Sequence, residues 1–344
     1  MNILLSSHAF SPSIGGLEAV SLMLARELVQ VGHEVVVITQ TQDSPNSYSF
    51  PFIVIRRPSP RKLWQLIADA DLVFHNHISL RAAWPMLFIH RPWVVTHQGW
   101  IPREGFAGVI GVVKRFVLRW ATEISISDAV AADFKSPSVV IRNPYDANTF
   151  HEIPGVRRNK ELVFVGRFVS DKGLQILLHA LEHLGRSSLR PCLTVVGEGP
   201  EEVSWRCLIE ELDLSTQVKF VGVKMGKELA EVLNAHKVLV VPSLWNEPFG
   251  VVALEGMACG CLVVGSEGGG LKEAIGPGGL TFPNGNVEAL ASCIRKALFD
   301  AETGARCRLA SPTHLNRHLP GLVTDRYLEV FSNALKRLDH WGNG

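Results

Sequence analysis

The chain of 344 residues is 47% hydrophobic and 19% charged, which excludes a disordered or low-complexity polypeptide. Lys+Arg 34 against Asp+Glu 33 leaves no excess of cations to follow a phosphate backbone, so nucleic acid is not an expected partner. The length exceeds what one hydrophobic core usually organises, and two domains are expected.

The first half opens on an apolar strand, Asn2–Ser6, with no basic lead and no cleavage signal, so no secretory leader is expected. A helix over Gly16–Val31 follows, then strands at Glu34–Thr39, Leu72–His75 and Val94–Thr96. Arg103–Trp120, REGFAGVIGVVKRFVLRW, mixes apolar residues with Arg103, Lys114, Arg115 and Arg119. That composition reads first as an ordinary core-packed helix with a solvated face, with an interfacial helix resting on a membrane surface as the alternative.

A segment with neither helical nor strand period, Phe150–Lys160, carries Pro154 and Gly155 and reads as the linker. Beyond it, strands at Leu162–Val165, Cys192–Val196, Lys219–Val221, Val238–Val241 and Leu262–Gly265 alternate with helices at Leu174–Leu184, Gly226–Ala235 and Val287–Phe299. Continuous apolar strands with helices between them imply parallel sheets covered on both faces. The expected fold class is therefore α/β, doubly wound twice, with domains at 1–152 and 153–320 and a tail at 321–344. That tail reads as a helix over Leu322–Leu338 after a stop at Pro320–Gly321.

No apolar run reaches the roughly 18 residues needed to span a bilayer. A cytoplasmic protein is expected, with peripheral contact at the inner face of the membrane left open. All six cysteines fall in the second half without CxxC spacing, and read as buried small hydrophobes.

In doubly wound sheets, ligands sit outside the carboxyl ends of the strands, which ranks the motifs. The loop HAFSPSIGGLEAV ends a strand and opens a helix at Gly15–Gly16, where free amides can meet an anion. It lacks the GxGxxG pattern, so a simple tight turn fits it as well, and Glu18 complements the helix dipole. His75 and His77 end a strand and read as lining an acceptor cleft; a third metal ligand is not apparent by spacing. Asp69 and Asp71 precede their strand, at the wrong edge for a ligand, and Asp71 reads as a turn residue, so no metal site is expected. His97 stands at the end of WVVTH, a position that favours a functional histidine.

FVGRFVSDKG offers Arg167 as a fork and Lys172 as a point charge in a glycine-bounded turn, a pairing suited to a diphosphate. VLVVPSLWNEPFGVVALEGMA places Glu247 in a loop and Glu255 in the helix beyond it, with the amides of Phe249, Gly250 and Val251 between them. Carboxylates accept paired hydrogen bonds from vicinal hydroxyls, and helix N-terminal amides accept phosphate. Gly197-Glu198-Gly199-Pro200 and Gly268-Gly269-Gly270 each follow a strand and fit the same region.

The E-x7-E spacing of Glu247 and Glu255, with GRFVSDKG, VGEGP, PSLWNEPFG and SEGGGLKEAI, resembles the family 4 glycosyltransferases. The resemblance implies the GT-B architecture of two Rossmann-like domains facing a central cleft, with the tail helix returning to the first. It also implies transfer of a hexose-type sugar with retention, without metal or cofactor, from a nucleotide-diphosphate sugar to an unidentified acceptor (a glycan, a lipid-linked molecule or a small molecule). Cell-surface polysaccharide or glycoconjugate synthesis is the setting it suggests. Carried onto this sequence, Glu247 holds sugar hydroxyls and Glu255 the ribose. Arg167 and Lys172 neutralise the diphosphate, aided by Gly15, Gly16 and the Phe249–Val251 amides, and His97 stands near the reacting face of the sugar. The family's Asn-Gly pair followed by aspartate is here Asn143-Pro144-Tyr145-Asp146, which lacks the glycine. A sugar-nucleotide epimerase of the same architecture and an inactive binding subunit remain as alternatives.

Overall fold

A computed structural model of the chain describes residues 1–13, 15–43, 49–134 and 137–341. It divides into two compact units, Met1–Pro144 with the segment from Pro320 onward, and Tyr145–Leu319. Each is a parallel sheet with helices in its crossovers.

In the first unit the chain runs β1 (Asn2–Ser6), α1 (Gly16–Gln30), β2 (Glu34–Thr39), β3 (Ile53–Arg56), α2 (Pro60–Asp69), β4 (Leu72–Asn76) and a short α3 (Leu80–Ala83). It continues through β5 (Trp93–His97), α4 (Gly105–Val117), β6 (Thr122–Ser125), α5 (Asp128–Asp133) and β7 (Val139–Val140). The strands order as β3-β2-β1-β4-β5-β6-β7, so the winding reverses between β1 and β4. β4 and β5 are buried along their whole length, as a central strand covered on both faces must be. Asp71 accepts a hydrogen bond from the Asn2 amide at the amino edge, 2.7 Å away, which makes it a turn residue.

In the second unit come β8 (Lys160–Val165), α6 (Leu174–Gly185), β9 (Leu193–Val196), α7 (Glu202–Glu211), β10 (Val218–Phe220), α8 (Gly226–Asn234) and β11 (His236–Val241). Then follow α9 (Val251–Ala258), β12 (Leu262–Ser266), α10 (Leu271–Ile275), β13 (Gly279–Phe282), α11 (Val287–Phe299) and α12 (Ala301–Asn316). The order β10-β9-β8-β11-β12-β13 reverses between β8 and β11. α6 buries Leu174, Leu177, Leu178, Leu181 and Leu184 in one core with Leu162 and Phe164 of β8 and Val238 and Val240 of β11.

The division between units falls at Pro144, ahead of the expected break in Phe150–Lys160. The reason is side-chain anchoring. Asn234 of α8 accepts from the Ile153 amide and donates to the His151 carbonyl, tying the expected linker to the second unit. The last helix, α13 (Pro320–Trp341), begins at Pro320, where sequence reading placed a stop. Proline is well suited to a first helical turn, whose amide has no intrahelical partner. Tyr327 and Phe331 of α13 pack against Phe74 of β4 within the first unit, and Thr96 donates to the Tyr327 hydroxyl.

Only Cys259, Cys261 and Cys307 are buried; Cys192 and Cys207 are exposed and Cys293 lies between. The expectation of six buried cysteines is corrected for those three.

Candidate functional site

The reversal of winding between β8 and β11 opens a crevice at the carboxyl edge of the second sheet, the place where such folds take ligands. Four loops meet there, and their backbones are joined. The Phe168 amide donates to the Glu198 carbonyl and the Glu201 amide to the Phe168 carbonyl, linking the loops after β8 and β9. The Leu244 amide donates to the Asp171 carbonyl, linking those after β8 and β11. The Gly270 amide donates to the Glu247 carbonyl, and Asn284 bridges Gly268 to the Leu244 and Trp245 carbonyls. Glycine is required where these backbones approach. A Cβ at Gly173 would collide with the Pro242 carbonyl, one at Gly197 with the Gly166 carbonyl, and one at Gly269 with the Glu247 carbonyl.

Two of the expected donor-binding side chains touch within this frame. Lys172 Nζ lies 2.6 Å from Glu247 Oε1, and the Ser243 hydroxyl donates to the same oxygen at 2.7 Å. Glu247 Oε2 has no partner among the described residues. The Glu247 side chain is 10% exposed and that of Lys172 25%, so the ion pair is mostly enclosed but reachable. Arg167, on the same β8 loop, is exposed, and its side chain makes no ion pair or hydrogen bond among the described residues. Ser243 was not singled out from sequence; its position four residues before Glu247 at a strand end was the available signal.

α9 begins at Val251 with Gly250 as its N-cap, held at φ 116°. The amides of Gly250 and Val251 open the helix, while Phe249 precedes the cap and its ring is buried. Glu255 lies in the second turn of α9. Burial, and secondarily the nearby Asp146, push its carboxyl up to about 7 from the ordinary 4.5. Because the folded-state value is the higher one, the native protein holds more protons than the unfolded chain between about pH 4.5 and 7. Stability therefore falls as pH rises through that window, by up to about 3 kcal/mol. A Glu255→Gln protein is expected to match the parent in urea denaturation near pH 4 and to exceed it above about pH 8. If Glu255 binds a ribose diol as a carboxylate, nucleoside affinity should strengthen as pH rises through about 7 in the parent and stay flat in Glu255→Gln.

In the first unit, Gly15 caps α1 in extended backbone at φ 167°, which any residue can adopt. Gly16 has open space around its missing Cβ, and Glu18 folds back over the helix start, 2.5 Å from where a Gly15 Cβ would stand. The pair therefore lacks the left-handed backbone of a glycine anion loop, and Glu18 occupies the approach to the helix dipole.

His97, expected near the reacting face of a sugar, is fully enclosed. Its Nε2 is 2.7 Å from Glu123 Oε2, its ring stacks on Phe134 at 3.7 Å, and its buried Nδ1 has no partner. The cause lies in β5, central in the sheet and buried to its last residue. His75 is equally enclosed, accepting from Trp93 Nε1 at 2.9 Å, with burial lowering its pKa to about 4. His77 is half-buried at φ 76°, and burial aided by Lys114, His97 and His8 lowers its pKa to about 3. Among the described residues no three His, Cys, Asp or Glu side chains are grouped to hold a metal ion.

Comparison with known proteins places this geometry. The model for "Glycosyl transferases group 1" matches residues 146–313 and that for "Glycosyltransferase Family 4" residues 14–148, together covering most of the chain. The chain belongs to the family 4 glycosyltransferases.

A D-inositol 3-phosphate glycosyltransferase from Stackebrandtia nassauensis is 34% identical over 187 residues, 51% of this chain and 42% of that protein. A glycogen synthase from Mycobacterium tuberculosis is 31% identical over 255 residues, 68% of this chain and 60% of that protein. The matched length is thus under two thirds of either relative. Among solved structures, Anabaena HepE with UDP and glucose superposes with a TM-score of 0.81 at 23% identity, covering 97% of this chain and 100% of that one. Sucrose-phosphate synthase from Thermosynechococcus elongatus gives 0.79 at 23% identity, covering 98% and 99%. These likenesses show that this family 4 glycosyltransferase has the GT-B type of α/β fold. Its departure at Asn143-Pro144 is accommodated locally: Asn143 exchanges two amide hydrogen bonds with Gln98, and the Tyr145 amide donates to the His318 carbonyl.

Proposed function

We propose that the protein transfers a hexose-type sugar, with retention, from a nucleotide-diphosphate sugar to a glycan, lipid-linked or small-molecule acceptor. Its setting would be cytoplasmic synthesis of cell-surface polysaccharide or glycoconjugate. The observation that carries this reading is the Lys172–Glu247 pair at the switch point of the second sheet, with Arg167 unpaired on the same loop. Two cations and the start of α9 supply what a diphosphate needs, and a carboxylate beside them supplies what sugar hydroxyls need. In this reading a diphosphate draws Lys172 away from Glu247, freeing Glu247 for the hydroxyls. The anomeric C–O bond then breaks, the diphosphate leaves with the electron pair, and the acceptor oxygen bonds to the anomeric carbon and gives up its proton to the departing diphosphate oxygen. Fixed cations stabilise the leaving charge, so the rate should not change when EDTA is added. The fold shared with HepE, crystallised with UDP and glucose, supports a nucleotide-sugar donor.

The test is a panel of nucleotide sugars and acceptors with release of nucleoside diphosphate as readout. The parent should release it only when acceptor is present, and a folded Glu247→Ala protein should be slower by roughly 100- to 1,000-fold. Isomerised donor formed without acceptor would identify an epimerase, and tight nucleotide binding without turnover a binding subunit.

A further inference from the structure

We infer that the helical face of the first unit formed by α2, α3 and α4 is a docking surface for an anionic lipid bilayer. Right-handed crossovers place these helices on one side of the sheet, because β3 to β4, β4 to β5 and β5 to β6 all advance in one direction. α1 advances the opposite way and lies on the other side, in contact with α13.

α4 is built inside out for a soluble helix. Gly108 and Gly111 press against the Arg103 and Pro102 backbone, where a Cβ would collide, and this glycine side is the packed one. Val109, Val112, Phe116 and, just beyond, Trp120 recur at helical spacing on the opposite side and are 63%, 65%, 52% and 55% exposed. The same layer carries an exposed aromatic triad. Trp64 of α2 lies 5.8 Å from Trp84 and 6.2 Å from Phe88, both in the turn after α3. Apolar area on this scale marks an interaction surface rather than ordinary surface hydrophobicity.

Charge selects the occupant. Between Leu72 and Thr122 the chain carries Arg81, Arg91, Arg103, Lys114, Arg115 and Arg119 against the single carboxylate Glu104. Arg103 and Arg115 pair with Asp133 of α5, whereas Arg119 lies over the Phe116 ring, 5.2 Å from its centre, beside the apolar stripe. Docking two copies through this face would set like charges against each other, as a two-fold contact repeats one patch. An anionic lipid surface meets both halves of the pattern: apolar side chains and indole rings enter the headgroup boundary while cations face phosphates. Among the described residues no helix is long and apolar enough to cross a membrane, so the contact is peripheral.

The whole chain is mixed with vesicles of phosphatidylglycerol and phosphatidylcholine, and with vesicles of phosphatidylcholine alone, and pelleted. Binding is expected to the first and to be at least tenfold weaker to the second. Val112→Glu with Phe116→Glu should abolish it, and Arg119→Glu or Arg81→Glu should each weaken it about fivefold or more. These side chains are exposed, so melting temperature and nucleotide-diphosphate binding should be unchanged. That readout also separates failure here from failure of the sugar-transfer reading. Equal binding to both vesicle types, or binding indifferent to the double glutamate variant, overturns the inference. So does a concentration-dependent dimer, lost in the double variant, without vesicle binding.

Discussion

An Arg167→Ala protein is expected to lose roughly 100- to 1,000-fold in sugar-transfer rate while unfolding at the parent's denaturant midpoint. The two halves of that expectation have separate origins. The Arg167 side chain is exposed and engages nothing among the described residues, so truncating it takes away no fold contact, and surface changes of that kind stay within about 0.5 kcal/mol. Its guanidinium nevertheless sits on the loop that carries Lys172, at the reversal of the second sheet, where the negative charge of a leaving diphosphate would develop. Arg167→Lys should recover only part of the rate, because a point charge cannot reproduce a bidentate fork on phosphate oxygens. Lys172→Ala is a less clean probe. It leaves Glu247 with only the Ser243 hydroxyl in a mostly enclosed place, so stability and activity would change together. Turnover of Arg167→Ala above half the parent rate would remove Arg167 from the site.

Strands of the first sheet were legible because burial writes itself as an apolar run: Asn2–Ser6 and Glu34–Thr39, each mostly buried, stand as read. β3, β6, β7 and β13 were not singled out. β3 and β7 are edge strands with half-exposed residues, β6 carries the buried Glu123, and β13 begins on glycine. Each lacks the pattern that made its neighbours visible. α12 was hidden by the internal Pro312, which removes the usual sequence sign of a continuous helix. The candidate site was legible as a set of strand-end residues, because topology alone decides which edge faces a ligand. Its pairings were not. That Lys172 would contact Glu247, or that His97 would stack on Phe134 and turn from the surface, depends on side chains from loops far apart in sequence. Spacing along a chain carries no information about those. The exposure of α4 was undecided for a related reason: apolar residues at helical spacing describe a face, and only the packed glycines show which way it points.

Gly173→Ala is expected to destabilise the second unit by about 3 kcal/mol or more. Gly173 lies at φ 71°, where an L-residue pays about 1–2 kcal/mol. The added carbon would also overlap the Pro242 carbonyl and come within 2.9 Å of its carbon. Neither neighbour can yield cheaply. Pro242 directly follows β11, and the Leu244 amide just beyond it is held by the Asp171 carbonyl, so relief means separating the loops after β8 and β11. Gly155→Ala isolates the steric part. That glycine has φ 84° but nothing within 4 Å of the new carbon, so only the backbone cost of about 1–2 kcal/mol applies. Lys172 immediately precedes Gly173, so the loop separation should also lengthen the Lys172–Glu247 contact and lower transfer activity, which Gly155→Ala leaves intact. Urea denaturation of both variants reads the comparison directly. Equal losses would mean that the β8 and β11 loops do not approach as closely as the fold requires, and the case for a preorganised site at their meeting point would fail with them.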